Sequence, residues 1–553
     1  MAGTIGIGIQ DFGKIIENNV FYIDKTYFIR DWWENNDEVT LITRPRRFGK
    51  TLTMSMLDYF FSVDHAEKGR LFEGLEIWQY EKYRELQGTF PVINLSFANV
   101  KQNNYKDAKE QIFLLLTNLY SRYAFLRDDD RMSEKDRAYF DRIGPDMSDS
   151  DAVMALYQLS DYLYRYYGKK VIILLDEYDT PMQEAYVGGY WDEIANFARN
   201  MLNASFKTNP YLERGVLTGI TRISKESIFS DLNNLEAVTT TTDKYASVFG
   251  FTEQEVFDSM DEFGMKNKKE IKEWYDGFCF GNEKDIYNPW SIINMLETGR
   301  TGTYWANTSG NQLASKLIRE GNREIKLQFE SLLQGESIFS EIDEEIVYTE
   351  LEGNSNAVWS LLLAGGYLKV LRIEDDVYEL GITNYEVQRM FRKMVKRWFA
   401  GESQADYNDF VRALLKGDLD AMNEYMNRVV CSVFSYFDTA KQKSKSEPEK
   451  FYHGFVLGLI VELQDKYVIR SNRESGFGRY DIMLESRDGK DAVIIEFKVF
   501  NSRKEKNLQD TVQTARQQIE EKKYEQGLLQ RGFLKKQIRK YGFAFCGKEV
   551  LIG

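Results

Sequence analysis

Cysteine and histidine are almost absent from this chain. Its three cysteines, Cys279, Cys431 and Cys546, are odd in number and far apart. They exclude a disulfide framework or a cysteine-rich zinc site and fit a reducing compartment. With only His65 and His453, a Ser-His-Asp hydrolase and a His-rich metal site are nearly excluded as well. Any metal must then be a hard cation on carboxylates. No apolar run approaches the ~18 residues that cross a bilayer, and Met1-Ala2-Gly3-Thr4 has no signal-peptide pattern. A cytoplasmic protein without membrane contact is expected. What is present is bulk: 553 residues, 43% hydrophobic and 14% aromatic. That is too long for one ordinary core, implies roughly two to four domains, and rules out a largely disordered chain.

The net charge of −14 is unevenly spread. Residues 451–553 hold 19 Lys+Arg against 14 Asp+Glu, a net of +5, whereas residues 1–450 carry a net of −19. A basic C-terminal segment on an acidic body points to an anionic partner there, although chance scatter gives the same modest excess.

Residues 38–43 read as a short buried strand, followed by a Gly/Lys loop and a helix over Thr51–Phe61. Further strands are expected at 90–97, 170–175 and 215–220, and a helix at 151–167. Strands separated by helical segments predict a parallel α/β sheet with right-handed crossovers. The pattern from about 245 to 437 is mostly helical. The polar, Pro-containing run 441–450 (KQKSKSEPEK) is the best linker. Beyond it come a helix at 451–463, a β-hairpin, a long polar helix at about 507–528 and a final hairpin around Cys546-Gly547. The expected fold is an α/β multidomain chain: a parallel-sheet P-loop domain over 1–240, a mostly helical lid or middle region over 241–440, the linker, and an α/β domain over 451–553.

Arg44-Pro45-Arg46-Arg47-Phe48-Gly49-Lys50-Thr51 matches the last three positions of the P-loop pattern G-x-x-x-x-G-K-[ST], with Arg44 where the first glycine belongs. Gly49 would let backbone N–H groups approach phosphate, Lys50 would reach the β/γ oxygens, and the Thr51 hydroxyl would ligate Mg²⁺. Arg46 and Arg47 would add charge near the phosphates or stand in solvent. Alone the loop is a weak signal. The apolar run Val171–Leu175 ends in Asp176-Glu177, as in a strand whose Asp engages Mg²⁺ and whose Glu polarises the attacking water. Both motifs, in this order at strand ends, imply ATP binding. Thr218, Thr221 and Arg222 would sense a γ-phosphate, or serve as core threonines and a surface arginine.

A second constellation lies near the C-terminus. Two apolar runs flank Arg487-Asp488-Gly489-Lys490, and an Asp-Gly pair between such runs predicts a two-residue hairpin loop. Paired positions then sum to 977, which sets Asp481 opposite Glu496, with Lys498 on the same face. Facing carboxylates repel unless neutralised, and Mg²⁺ or Mn²⁺ on Asp481 and Glu496 is the simplest remedy. Lys498 would orient water and steady developing negative charge on a phosphodiester. The competing reading is a solvated charged stripe. His453, Glu462, Gln517, Gln518 and Tyr524 are further candidates for this site, or ordinary helix residues.

These residues also carry a resemblance. The N-terminal part is similar to the AAA-ATPase-like family of bacterial P-loop proteins through Tyr22-Ile23-Asp24-Lys25-Thr26, the loop at 44–51, Leu174–Asp179 and Lys225–Ser230. Trp274-Tyr275-Asp276-Gly277-Phe278 and Tyr287-Asn288-Pro289-Trp290-Ser291 belong to the same pattern. The C-terminal part resembles the PD-(D/E)XK nuclease superfamily through Phe451–Phe455, Gly478–Asp481 and Ile495–Lys498. The resemblance implies a restriction-endonuclease-like domain, with Asp481 and Glu496 as metal ligands and Lys498 assisting catalysis. Three departures stand out: Tyr480 where proline is common, Arg44 in place of glycine, and a six-residue Gln518–Tyr524 spacing, wider than in RecB-like nucleases. The expected activity is ATP hydrolysis joined to metal-dependent cleavage of nucleic acid, DNA foremost. The alternative is an ATP-regulated switch or a nucleic-acid or protein-binding module that does not cut.

Overall fold

The computed structural model describes the chain apart from residues 1–2, 224–227, 230–231, 309–310, 352–353, 400–406, 435–455, 457–459, 461–462, 464–465, 472–473, 476–477, 480, 502–503 and 547–548. The expected linker, His453 and Glu462 therefore lie outside the described residues, as does most of the helix expected at 451–463. Two compact units form, one from Met1–Leu317 with Ser337–Val387, the other from Ile318–Glu336 with Gln388–Gly553. Among the described residues no helix is long and apolar enough to cross a membrane.

The first unit is built on a wholly parallel sheet of β1 (Val39–Thr43), β2 (Val92–Ser96), β3 (Val171–Asp176), β4 (Leu212–Gly219) and β5 (Leu235–Val238). Every residue of β1 and β3 is buried, as continuous aliphatic runs demand when both faces are covered. The order is β2-β3-β4-β1-β5. Strand β4 thus separates β1 from β3, and the loops leaving the C-terminal ends of all three stand side by side, where open parallel sheets gather ligands. Helix α1 (Lys50–Phe61) follows β1, and α2 (Asp149–Tyr167) precedes β3.

The middle region is mostly helical, as expected. It also holds two three-stranded antiparallel sheets that helical periodicity did not reveal: Phe251–Thr252 with Glu283–Tyr287 and Phe278–Phe280, and Ile338–Glu341 with Val377–Ile382 and Leu368–Glu374. The Tyr22–Thr26 motif is a clamp. The Asp24 carboxylate accepts from Thr26 N, Thr26 Oγ1 and Glu76 N at 2.7–2.8 Å. Lys25 is buried and donates to both oxygens of Glu255 and to the Ser247 carbonyl.

In the second unit, β6 (Tyr467–Ser471), β7 (Ile482–Ser486), β8 (Ala492–Val499), β9 (Ile538–Cys546) and β10 (Glu549–Ile552) form one sheet in that order. Only β8 and β9 run parallel, joined across α3 (Leu508–Glu521). Alternation splits the hairpin between two cores. Leu484, Val493 and Phe497 pack with Met422 and Tyr425 from the helix Leu419–Phe434. Met483 and Ile494 pack with Ile519 and Tyr524. The edge strand β10 is closed by two asparagines one turn apart. Asn423 exchanges both bonds with Ile552, and Asn427 both with Val550, so a helix stands in for the missing strand.

Buried Glu386 ties the middle region together, accepting from Ser291 Oγ at 2.7 Å and Ala306 N at 3.2 Å. Burial pushes its carboxyl up to about 7 from 4.5, against the pull of those hydrogen bonds. Between those values the folded state holds the proton more tightly, so this group's contribution to stability falls as pH rises and levels off above about 7. Glu386→Gln should gain on the wild type across that window by up to about 3 kcal/mol. Chemical unfolding of both proteins at pH 5 and pH 8 measures it, and a pH-independent difference would refute it.

Candidate functional site

The loop between β1 and α1 bends through two positive-φ residues, Arg47 (65°) and Gly49 (84°). Gly49 caps α1 in the left-handed region, where a side chain would be strained. Lys50 is buried, and its ammonium donates to the carbonyls of Arg44 (2.7 Å) and Pro45 (2.9 Å). Burial lowers its pKa, while the carboxylates of Glu177, Asp179 and Asp176 oppose the shift. Thr51 Oγ1 donates to Asp176 Oδ2 at 2.8 Å, and Thr218 Oγ1 donates to the other oxygen. Burial raises the Asp176 carboxyl, countered by those two hydroxyls. Three candidate residues, from the first turn of α1 and the C-terminal ends of β3 and β4, thus meet at one carboxylate, and a hydroxyl–carboxylate pair is the hard-oxygen set that suits Mg²⁺. Glu177 follows at φ 51°, its carboxylate accepting from Thr180 Oγ1 at 3.1 Å.

The arginines separate. Arg46 is half-buried and donates to Gln183 Oε1 at 3.3 Å. Arg47 is exposed, with its guanidinium 4.5 Å over the Trp290 ring. Arg222 is drawn away by Glu345 at 2.8 Å and Glu344 at 4.0 Å. Arg44, where the pattern has glycine, is fully buried. It donates to the carbonyls of Thr43, Val238, Thr239 and Lys244 and lies 4.4 Å over the Phe280 ring. Burial pulls it down to about 9.

The middle-region motifs converge on the same loop. The Arg46 carbonyl accepts from Trp305 Nε1 (2.9 Å) and Asn288 Nδ2 (3.3 Å). Phe48 meets Phe278 and Phe280 edge-on. Gly366, at φ 81°, lies so close that a Cβ there would stand 2.7 Å from Pro45. Nothing in the local sequence announces that these segments brace a loop more than 200 residues upstream.

In the second unit the ladder pairs Ile482 with Ile495, Met483 with Ile494 and Leu484 with Val493, the register expected from the 977 sum. The loop differs. Ser486 N bonds Asp491 O and Gly489 N bonds Ser486 O, so four residues, 487–490, make the turn rather than Asp488-Gly489 alone. The register survives because two residues are added symmetrically. Asp481 stands one position before β7, and its Oδ2 accepts from Phe497 N at 2.8 Å. Glu496 is buried on the face of Met483 and Ile494, with Lys498 Nζ at 3.6 Å. Because α3 packs on that face, Gln518 Nε2 reaches Glu496 Oε1 and the Tyr524 hydroxyl at 3.1 Å. Burial raises the Tyr524 phenol, the Gln518 hydrogen bond opposes the rise, and the charges of Glu496 and Asp481 add to it. Gln517 instead donates to Glu521 on the exposed side.

Among the described residues one further carboxylate trio stands apart from both sites: Glu253, Asp276 and Asp285, with oxygens within 4.8 Å of one another. The Lys272 ammonium reaches all three and offsets part of their charge, while burial and the neighbouring Asp285 push the Asp276 carboxyl up to about 6.

Arg44 generates a test. Arg44→Gly would restore the standard P-loop glycine, yet it empties the space beside Phe280 and strips donors from buried carbonyls. It should destabilise the first unit by about 3 kcal/mol or more, read as an earlier first transition in urea. An unchanged transition would show the side chain to be dispensable.

Comparison with known proteins matches two stretches of the chain to family models. Residues 6–229 match the model of a family described as predicted AAA-ATPase, and residues 447–553 match the PD-(D/E)XK nuclease superfamily. A relative in Azotobacter chroococcum mcd 1, described as an uncharacterized protein in the vnfD 5′ region, is 24% identical over 479 residues, covering 83% of this chain and 84% of its own. The chain thus carries an AAA-ATPase-like domain followed by a PD-(D/E)XK nuclease superfamily domain.

Proposed function

We propose that the protein binds and hydrolyses ATP and that its C-terminal domain cleaves phosphodiester bonds of nucleic acid, DNA foremost, with Mg²⁺ or Mn²⁺. The functional division we assign is 1–240 for nucleotide, 241–440 as the middle region, 441–450 as linker and 451–553 for cleavage. The single observation that carries the reading is the hairpin register. Continued by one pair beyond Ile482 and Ile495, it brings Asp481 level with Glu496 while α3 delivers Gln518 to the same carboxylate.

Asp481 and Glu496 would hold the cation, whose charge polarises the scissile phosphodiester. The Phe497 N–H fixes Asp481, and Gln518, itself held by Tyr524, fixes the Glu496 rotamer. Lys498, beside Glu496, orients the attacking water and balances negative charge developing on phosphorus oxygens. The net +5 of residues 451–553 favours approach of a polyanion. In the first unit, Gly49 and its neighbours offer N–H groups to phosphate, Lys50 supplies the point charge, and Arg46 and Arg47 enrich the field. Thr51 and Asp176 would hold the nucleotide's cation, and Glu177 would polarise the attacking water. A cytoplasmic location fits the scarce, scattered cysteines.

The test is cleavage of duplex and single-stranded DNA by the full chain, with and without ATP and Mg²⁺. Asp481→Asn and Glu496→Gln should each abolish cleavage, and the double variant should be little worse than either, since the pair acts as one unit. Lys498→Ala should keep cation affinity while losing turnover. Lys50→Ala should lose ATP binding in calorimetry. Full cleavage by Asp481→Asn, or a wild type that binds no divalent cation at millimolar concentration, would overturn the nuclease reading.

A further inference from the structure

Asp179 is fully buried, yet no step above uses it. One of its oxygens, Oδ2, accepts four bonds, each of 2.9 Å: from Ile220 N, Thr221 N, Thr221 Oγ1 and Gln183 Nε2. The carboxylate therefore fastens the exit of β4 to the turn after β3, and it also fixes which way the Gln183 amide points. With its nitrogen committed to Asp179, Gln183 presents its oxygen to Arg46 of the phosphate loop, whose Nη2 donates to it at 3.3 Å.

The placement of this relay matters. Asp176 ends β3, Glu177 follows it, and Thr218 lies near the end of β4, so these ends mark the side of the loop on which a terminal phosphate would stand. Gln183 lies in the helix Thr180–Gly188 that leaves the same turn. Arg46, Gln183, Thr221, Trp305 and Tyr367 line one pocket. A guanidinium on a flexible stem would lose side-chain entropy on every binding event, and an acceptor that holds it beforehand removes much of that cost.

We propose that Asp179 and Gln183 are positioning residues that hold Arg46 against the terminal phosphate, so that the chain discriminates triphosphate from diphosphate through its own phosphate-loop cation. The inference rests on the nucleotide reading above. Arg46 would touch only the group that ADP lacks, whereas Lys50 and the loop N–H groups serve both nucleotides.

The experiment compares ATP and ADP affinities of the full chain by calorimetry with Mg²⁺, together with steady-state ATP turnover. Gln183→Met keeps the length and removes both bonds. It should weaken ATP about tenfold, as loss of a charge-assisted contact does, and leave ADP within about twofold. Turnover should fall in kcat more than KM rises, since a held cation acts most strongly on transition-state charge. Gln183→Glu, which keeps an acceptor for Arg46, should restore part of the ATP preference. A purely structural role for Gln183 predicts that ATP and ADP weaken together, or that neither changes, and either result overturns the relay while leaving the nucleotide site standing. A wild type that binds neither nucleotide overturns the nucleotide reading and the relay with it.

Discussion

A loop that turns its N–H groups toward an anion must have its carbonyls satisfied from elsewhere, and much of the first unit answers that constraint. The carbonyls of Arg44 and Pro45 take the Lys50 ammonium, and that of Arg46 takes an indole and an amide from the middle region. The middle region is therefore part of the site: Asn288 caps its own helix while donating to the loop. Arg44 works from beneath, spreading a buried charge over carbonyl dipoles and a ring face. A phosphate that claimed Lys50 would release two carbonyl bonds, so the proposed binding would be an exchange of partners.

This arrangement explains which parts of the site were legible in the sequence. Gly49, Lys50, Thr51, Asp176 and Glu177 follow from local spacing at strand ends, because chemistry fixes those residue types within a few positions. The hairpin was legible for a stricter reason: a period of two and one turn determine every pair, so Asp481 and Glu496 could be matched by arithmetic. The turn itself was misjudged in length because Ser486 and Asp491 close a wider loop in the same register. Arg44, Gln183 and Asn427 were not legible. Each owes its role to a partner brought near by tertiary packing: Phe280 for Arg44, Arg46 for Gln183, and Val550 for Asn427.

The segment between the two sets of motifs shows the same limit. Residues 320–440 carry no signature of their own, yet Met422 and Tyr425 complete one core of the second unit and the asparagines of the same helix close its sheet edge. Helical periodicity announces an apolar stripe but not its destination. An asparagine on a helix reads as solvated until a strand edge arrives with unpaired N–H and C=O groups at the matching spacing.

Two glutamates on one face of the hairpin separate structure from chemistry. Glu485 and Glu496 are both buried, and both charges must be compensated. Glu485 receives two guanidiniums, Arg470 at 2.9 Å and Arg531 at 2.8 Å, and its charge is balanced within the protein. Glu496 takes its short bond from the neutral amide of Gln518, with the Lys498 ammonium further off at 3.6 Å. Asp481 is held by the neutral N–H of Phe497. In the proposed nuclease site these neutral donors would set the orientation of the two carboxylates that hold the cation. On one face of the hairpin, Glu485 thus takes its guanidiniums from β6 and from Arg531, while Glu496 takes the Gln518 amide from α3 and Asp481 the Phe497 N–H of β8.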